Sequence, residues 1–150
     1  MQAHELRVGN RVLNNGVIRK VTGLIPHGDK YIVLLDDPVT KRSLQDIHPI
    51  PLTPEILEQC GFEDVSLGKN GLAVRMMINS SDELAYWKDE GILRYQTRLS
   101  GFTRQFAHIK YLHQLQNLYF AMTGEELDGT INIEKENILR YDIGAKTIER

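Results

Sequence analysis

Among the residue types able to do chemistry, the thiol of Cys60 stands out as the single cysteine in 150 residues. A cysteine attacks as its thiolate, which needs a neighbouring base and a lowered pKa. Cys60 instead follows Ile56 and Leu57 at the end of a short amphipathic segment, where a thiol serves as a small apolar packing group. Five histidines could hold a metal, but His4, His27 and His48 are scattered and His108 and His113 lie five apart, off one helical face. Asp36, Asp37 and Asp46 are the carboxylates that magnesium or acid–base work would use. Adjacent strand residues point to opposite faces, and Asp36-Asp37-Pro38 reads as a strand ending. Glycine-rich phosphate loops, a GxSxG elbow and HExxH are all absent from the sequence. The expectation is a chain with no catalytic residues, no metal ligands and no cofactor, hence a protein that is not an enzyme.

Charge is distributed unevenly. Residues 54–91 carry three bases against eight acids, a net −5, whereas residues 92–124 carry Arg94, Arg98, Arg104 and Lys110 against none, a net +4. Strand periodicity sets Arg94, Gln96 and Arg98 in a row on one polar face, which could contact phosphates or another anion. The aromatics that base stacking needs, Tyr95 and Phe106, then fall on the opposite face. A solvated strand face, or pairing with the acidic middle segment, explains the row equally well.

These groups must be positioned by short elements. Val12-Leu13 and Val17-Ile18 flank Asn14-Asn15-Gly16, and Asn-Gly takes the positive φ angles of a type I′ hairpin. The strand that follows, up to Leu24-Ile25, is separated from Tyr31–Leu35 by Pro26 to Lys30, which is turn chemistry. Such closely spaced strands predict a small curled sheet or barrel. Pro49 and Pro51 make the next stretch an extended connector. Thr53-Pro54 caps a short helix over 54–60, with Gly61 closing it. Leu72, Val74, Met76 and Ile78 share one parity, and Leu84–Lys88 and Ile92–Leu99 follow as strands of a meander. A two-residue turn at Ser100-Gly101 predicts Leu99 facing Phe102, Thr97 facing Arg104 and Tyr95 facing Phe106. The strongest helix spans 111–123, with Leu112, Leu115, Leu118, Tyr119 and Met122 on one stripe and Gly124 as C-cap. It has no charged residue in thirteen positions, so His113, Gln114, Gln116, Asn117 and Phe120 predict a second covered face, against sheet, tail or another subunit.

The expected architecture is therefore α+β. A β subdomain occupies residues 1–52, a helix–meander–helix subdomain 53–127, with its second helix packed on the meander, and an extension 128–150. Hydrophobic residues at 41% and charged residues at 25% are ordinary for a folded domain, and a net charge of −2 gives no global attraction to nucleic acid or anionic membrane. One cysteine allows no intramolecular disulfide, and no run of 18 apolar residues or export signal occurs, which points to the cytoplasm.

The blocks "ELRVGNRVLNNG", "IHPIPLTPEILEQCGF" and "YLHQLQNLYFAMTGEEL" resemble, in this order, a family of small proteins without an assigned activity. That family is common in Bacteroides-type gut bacteria, their phages and integrated elements. The resemblance covers the framework of about the first 127 residues and implies a shared α+β fold and a mobile-element origin; the tail 128–150 departs from it. "LRVGNRVL" followed by short strands also resembles the opening of an SH3-like barrel, a fold that hosts several functions. The reading these observations favour is a non-enzymatic accessory protein that binds an unknown protein partner or itself, as a homo-oligomer. A nucleic-acid-binding module using the Arg94/Arg98 face is the alternative, and an enzyme of unrecognised type the second.

Overall fold

In the computed structural model, residues 1–36, 42–64 and 73–127 are described. Asp37-Pro38, residues 68–71, where glycines and Asn70 predict a turn, Leu72 and the tail from Asp128 lie outside them. The described residues form an α+β protein with two antiparallel sheets and two helices, arranged in two units. Met1–Pro51 and Tyr111–Glu126 make the first, and the intervening Leu52–Lys110 belongs to the second.

The first sheet has the order β1 (Arg11–Asn14), β2 (Val17–His27), β3 (Lys30–Leu35), β4 (Arg42–Ser43). Asn15 and Gly16, with φ of 53° and 74°, form the I′ turn, and Asn14 faces Val17 across it. β2 runs further than the sequence reading placed it. Pro26 lies within the strand, facing Tyr31, and the turn shrinks to Gly28-Asp29. The proline is tolerated because β1 accompanies β2 only as far as Lys20, which leaves that side of β2 as an edge. A register shift between Val21 and Gly23 bulges the strand. The sheet is open among the described residues, and no closed barrel forms. A 3₁₀ turn, Leu44–Asp46, follows β4 and leads to His48, which bridges back to Leu13 by two backbone hydrogen bonds of 2.8 and 2.9 Å. Leu6, Val12, Val21, Val33, Leu35 and Ile47 form the core of this unit.

The second unit opens with α1 (Pro54–Gln59), where the Thr53 hydroxyl accepts from the Ile56 N–H at 3.2 Å and proline takes the first helical position. Its sheet is a meander of β5 (Glu63–Asp64), β6 (Ala73–Met77), β7 (Asp82–Trp87), β8 (Ile92–Thr97) and β9 (Thr103–Phe106). Val74, Leu84, Tyr86 and Leu93 share the buried face, and α1 packs against β6.

The β8–β9 register differs from the expected one by two residues: Tyr95 faces Arg104 and Leu93 faces Phe106. The turn holds four residues, Arg98 to Gly101, closed by Gly101 N–H on the Thr97 carbonyl at 3.1 Å with Gly101 at φ 70°. A slip of two preserves side-chain parity, so the division into faces survives while Leu99 and Phe102 leave the ladder.

The last helix, α2 (Leu112–Thr123), ends at Gly124 with φ 74°. Its placement corrects the expected architecture, because it belongs with the N-terminal sheet and not with the meander. Removing the α1 cap with Thr53→Ala is expected to lower stability by about 1 kcal/mol while Thr53→Ser retains most of it, as measured by urea unfolding.

Candidate binding surface

The polar face of α2 is used inside the first unit. Residues Arg7–Asn10 form a turn in which Gly9 takes φ 101°, and the Asn10 side chain accepts from the Arg7 N–H at 2.7 Å. Gln116 seals the turn, its oxygen accepting from the Arg11 N–H at 2.8 Å and its amide donating to the Gly9 carbonyl at 3.3 Å. Asn117 accepts from Asn10 Nδ2 at 2.8 Å and Arg7 Nε at 3.2 Å, and donates to the Glu5 carbonyl at 2.8 Å. The Arg7 guanidinium forks onto Glu126, with the Nη2 bond at 3.0 Å, and lies 4.4 Å from the Phe120 ring centre. Gln114 caps the helix by accepting from the Tyr111 N–H at 3.0 Å. Of the covers expected for this face, sheet, tail or another subunit, the first unit's own N-terminal residues supply contacts to Gln116, Asn117 and Phe120. Phe120 alone of the five residues expected on that face is exposed.

His113 has a different environment. It is 1% exposed, its ring stacks on Tyr111 with centroids 6.0 Å apart, and neither ring nitrogen has a hydrogen-bond partner among the described residues. Glu5 Oε1 stands 4.0 Å from Nε2. Burial pushes the imidazole pKa below its ordinary 6.5, and the Glu5 charge opposes that only in part. The group is held neutral in the fold.

On the second unit, register places Arg75, Ala85, Arg94 and Gln105 in one row, with Met77, Glu83, Gln96 and Thr103 in the next. Arg94 and Gln96 thus share a face as expected, while Arg98 has left the strand for the turn, its guanidinium 3.9 Å from Met77 Sδ. The sequence did not reveal how thoroughly acids interleave this face. Arg94 pairs with Glu90 and lies 5.6 Å from the Trp87 ring centre; Arg75 pairs with Glu83 at 3.5 Å. That second contact is electrostatic only, since Glu83 Oε2, like Trp87 Nε1 and Arg94 Nε, makes no hydrogen bond among the described residues. Two of the arginines are already neutralised, so the face offers little to a phosphate.

The β8–β9 end is the more exposed surface. Leu99 is 85% exposed and Phe102 54%, both in or beside the turn. Tyr95 sits 6.4 Å from Phe102, and Arg104 lies 5.8 Å from the Phe106 ring centre. β9 pairs with β8 alone, so its outer backbone is an open edge among the described residues. The expected pairing of Leu99 with Phe102 had concealed this surface; recognising the four-residue turn would have revealed it.

The remaining candidates stay apart. Cys60 is buried at the C-cap of α1. Asp36 accepts from the Lys20 N–H at 3.0 Å, and Asp46 caps its own 3₁₀ turn. No group of three or more possible metal-ligating side chains assembles among the described residues. A shallow depression of about 510 Å³ in the first unit is lined by His4, Asp29, Lys30, Tyr31 and Leu44 among others, a mixed wall that selects no one charge class. No helix of the described residues is long and apolar enough to cross a membrane. No protein-family model, curated protein or solved structure matches the chain.

Two predictions follow from α2. Gln116→Met or Asn117→Leu strips buried partners from the Arg7–Arg11 turn and is expected to cost about 1–3 kcal/mol, whereas Met122→Gln on the exposed side stays within about 0.5 kcal/mol. Chemical denaturation distinguishes them. For His113, the folded pKa is depressed, so its contribution to stability is complete above the ordinary 6.5 and is lost as pH falls below it. Melting temperatures at pH 7.5 and 5.5 should therefore fall more steeply in the wild type than in His113→Phe; equal slopes would contradict the buried neutral imidazole.

Proposed function

We propose that the chain is a non-enzymatic binding protein that acts through protein–protein contact at the β8–β9 end of its second unit. The observation that carries this reading is the pair Leu99 and Phe102, 85% and 54% exposed beside an open strand edge. Fully burying a leucine or phenylalanine contributes roughly 1.5–3 kcal/mol, most of which the isolated chain forgoes at Leu99 and about half at Phe102. Self-association through α2 is the less favoured reading, because the amides of Gln116 and Asn117 are engaged by the Arg7–Arg11 turn. The nucleic-acid alternative is weakened by the glutamates paired with Arg75 and Arg94.

The first unit is best read as an SH3-like scaffold. Its long bulged β2 and the 3₁₀ turn between β4 and the His48 bridge to β1 support that reading. The resemblance of the three sequence blocks supports reading the protein as an accessory factor of phage or mobile-element origin, and its single cysteine supports a cytoplasmic one.

A photo-cross-linking residue placed at Leu99, compared with one at exposed Glu58 in the native host cell, tests the reading. A discrete nuclease-resistant protein adduct from position 99 but not 58 is expected. Recovery of monomer alone from both positions, or an adduct that nuclease removes, would overturn it.

A further inference from the structure

We infer that β9 is a docking edge for an acidic, extended segment of a partner protein, which adds to the sheet as a further antiparallel strand. This rests on the reading of the β8–β9 end as a protein-contact surface. Strand addition requires unpaired main-chain groups and flanking side chains that choose the partner. β9 supplies the first, because among the described residues it is the terminal strand of the sheet and pairs only with β8. Three of its four residues, Thr103, Arg104 and Gln105, are exposed.

Charge selects the occupant. Arg104 stands on the edge and exposed Arg98 occupies the adjoining turn, while no acid occurs anywhere in residues 92–124 and the Asp82 carboxylate, which faces Thr97 of β8, is engaged by Asn79, Thr97 and Tyr95. A strand carrying glutamate or aspartate at alternate positions would meet Arg104 across or diagonal to it, and an apolar residue at its end would cover Leu99 and Phe102. A second copy of this chain is the wrong occupant. Antiparallel pairing of two β9 edges sets the two arginines directly opposite each other when centred on Arg104 and diagonal on one face when centred on Gln105, the arrangement by which natural edges resist pairing with themselves. A nucleic acid fits less well, since it lacks the alternating amide groups of a strand. The Phe106 ring it would stack on is also half-buried, on the face shared with Leu93 and Tyr95.

The probe is a fluorescein-labelled heptapeptide, Val-Glu-Val-Glu-Val-Glu-Val, titrated into the full chain by anisotropy. It is accompanied by a version with lysine for glutamate, a version with a central proline, and a dT12 oligonucleotide. The acidic peptide should bind at least about fivefold more tightly than the lysine peptide, since two exposed ion pairs are worth about 1 kcal/mol together. The proline version should be weakened at unchanged charge, because it lacks a main-chain donor. Amide chemical-shift changes should concentrate at residues 102–107. Arg104→Gln should reduce the preference and Arg104→Glu should reverse it towards the lysine peptide, and both variants should keep the wild-type melting temperature. Equal affinity for both peptides, insensitivity to Arg104→Glu, shifts elsewhere on the chain, or binding of dT12 alone would overturn the proposal. If no peptide binds while the Leu99 adduct still forms, strand addition is wrong and the protein-contact reading stands; if neither is seen, both fall.

Discussion

The interaction on which the first unit depends is the seal between two side-chain amides of α2 and the turn Arg7–Arg11. Gln116 and Asn117 lie more than 100 residues from that turn in sequence, yet between them they satisfy Arg11 N–H, Gly9 C=O and Glu5 C=O. Directional bonds to main-chain groups define one position for the helix, which a purely apolar stripe would leave free to slide or rotate. Neutral amides suit the task because they donate and accept at once and avoid the desolvation that a charged side chain would suffer there. The absence of charge along α2 follows from this use.

The seal also explains the topology. The chain leaves the first unit at Pro51 and returns at Tyr111, and the two crossings run antiparallel: Leu112 N–H bonds the Ile50 carbonyl at 2.8 Å, Pro51 bridges Tyr111, and Leu52 N–H bonds the Lys110 carbonyl at 3.0 Å. The meander is thus inserted between two parts of one core. An insertion whose ends are held together adds little loop-closure entropy however many residues it contains.

Within the second unit, charge and apolar exposure divide by location. The face bearing Arg75 and Arg94 also bears Glu83, and Glu90 reaches Arg94, so its cations are balanced locally. At the β8–β9 end the bases have no acidic neighbour in sequence from Ile92 to Gly124, and they sit beside the most exposed apolar side chain of the described residues. The same chain composition thus yields one surface whose arginines Arg75 and Arg94 face glutamates and another where exposed Arg98 and Arg104 flank apolar side chains.

Local stereochemistry made several elements legible from residue order alone. Asn15-Gly16 dictates its turn through positive φ, Thr53-Pro54 and Gly61 bound α1, and Gly124 ends α2, because each depends on neighbours along the chain. Side-chain parity likewise survived the two-residue slip of β9 and kept Arg94 and Gln96 on one face. What α2 packs against, the partners of its amides, the pairing of Arg94 with Glu90 and the exposure of Leu99 belonged to the tertiary structure. An uncharged helical face announces that something covers it without naming the cover. Several turn lengths also satisfy one alternation pattern. The seat of α2 and the partners of its amides are decided by contacts between residues distant in sequence, the Glu90–Arg94 pair and the exposure of Leu99 by how two tight turns close, and periodicity carries no record of either.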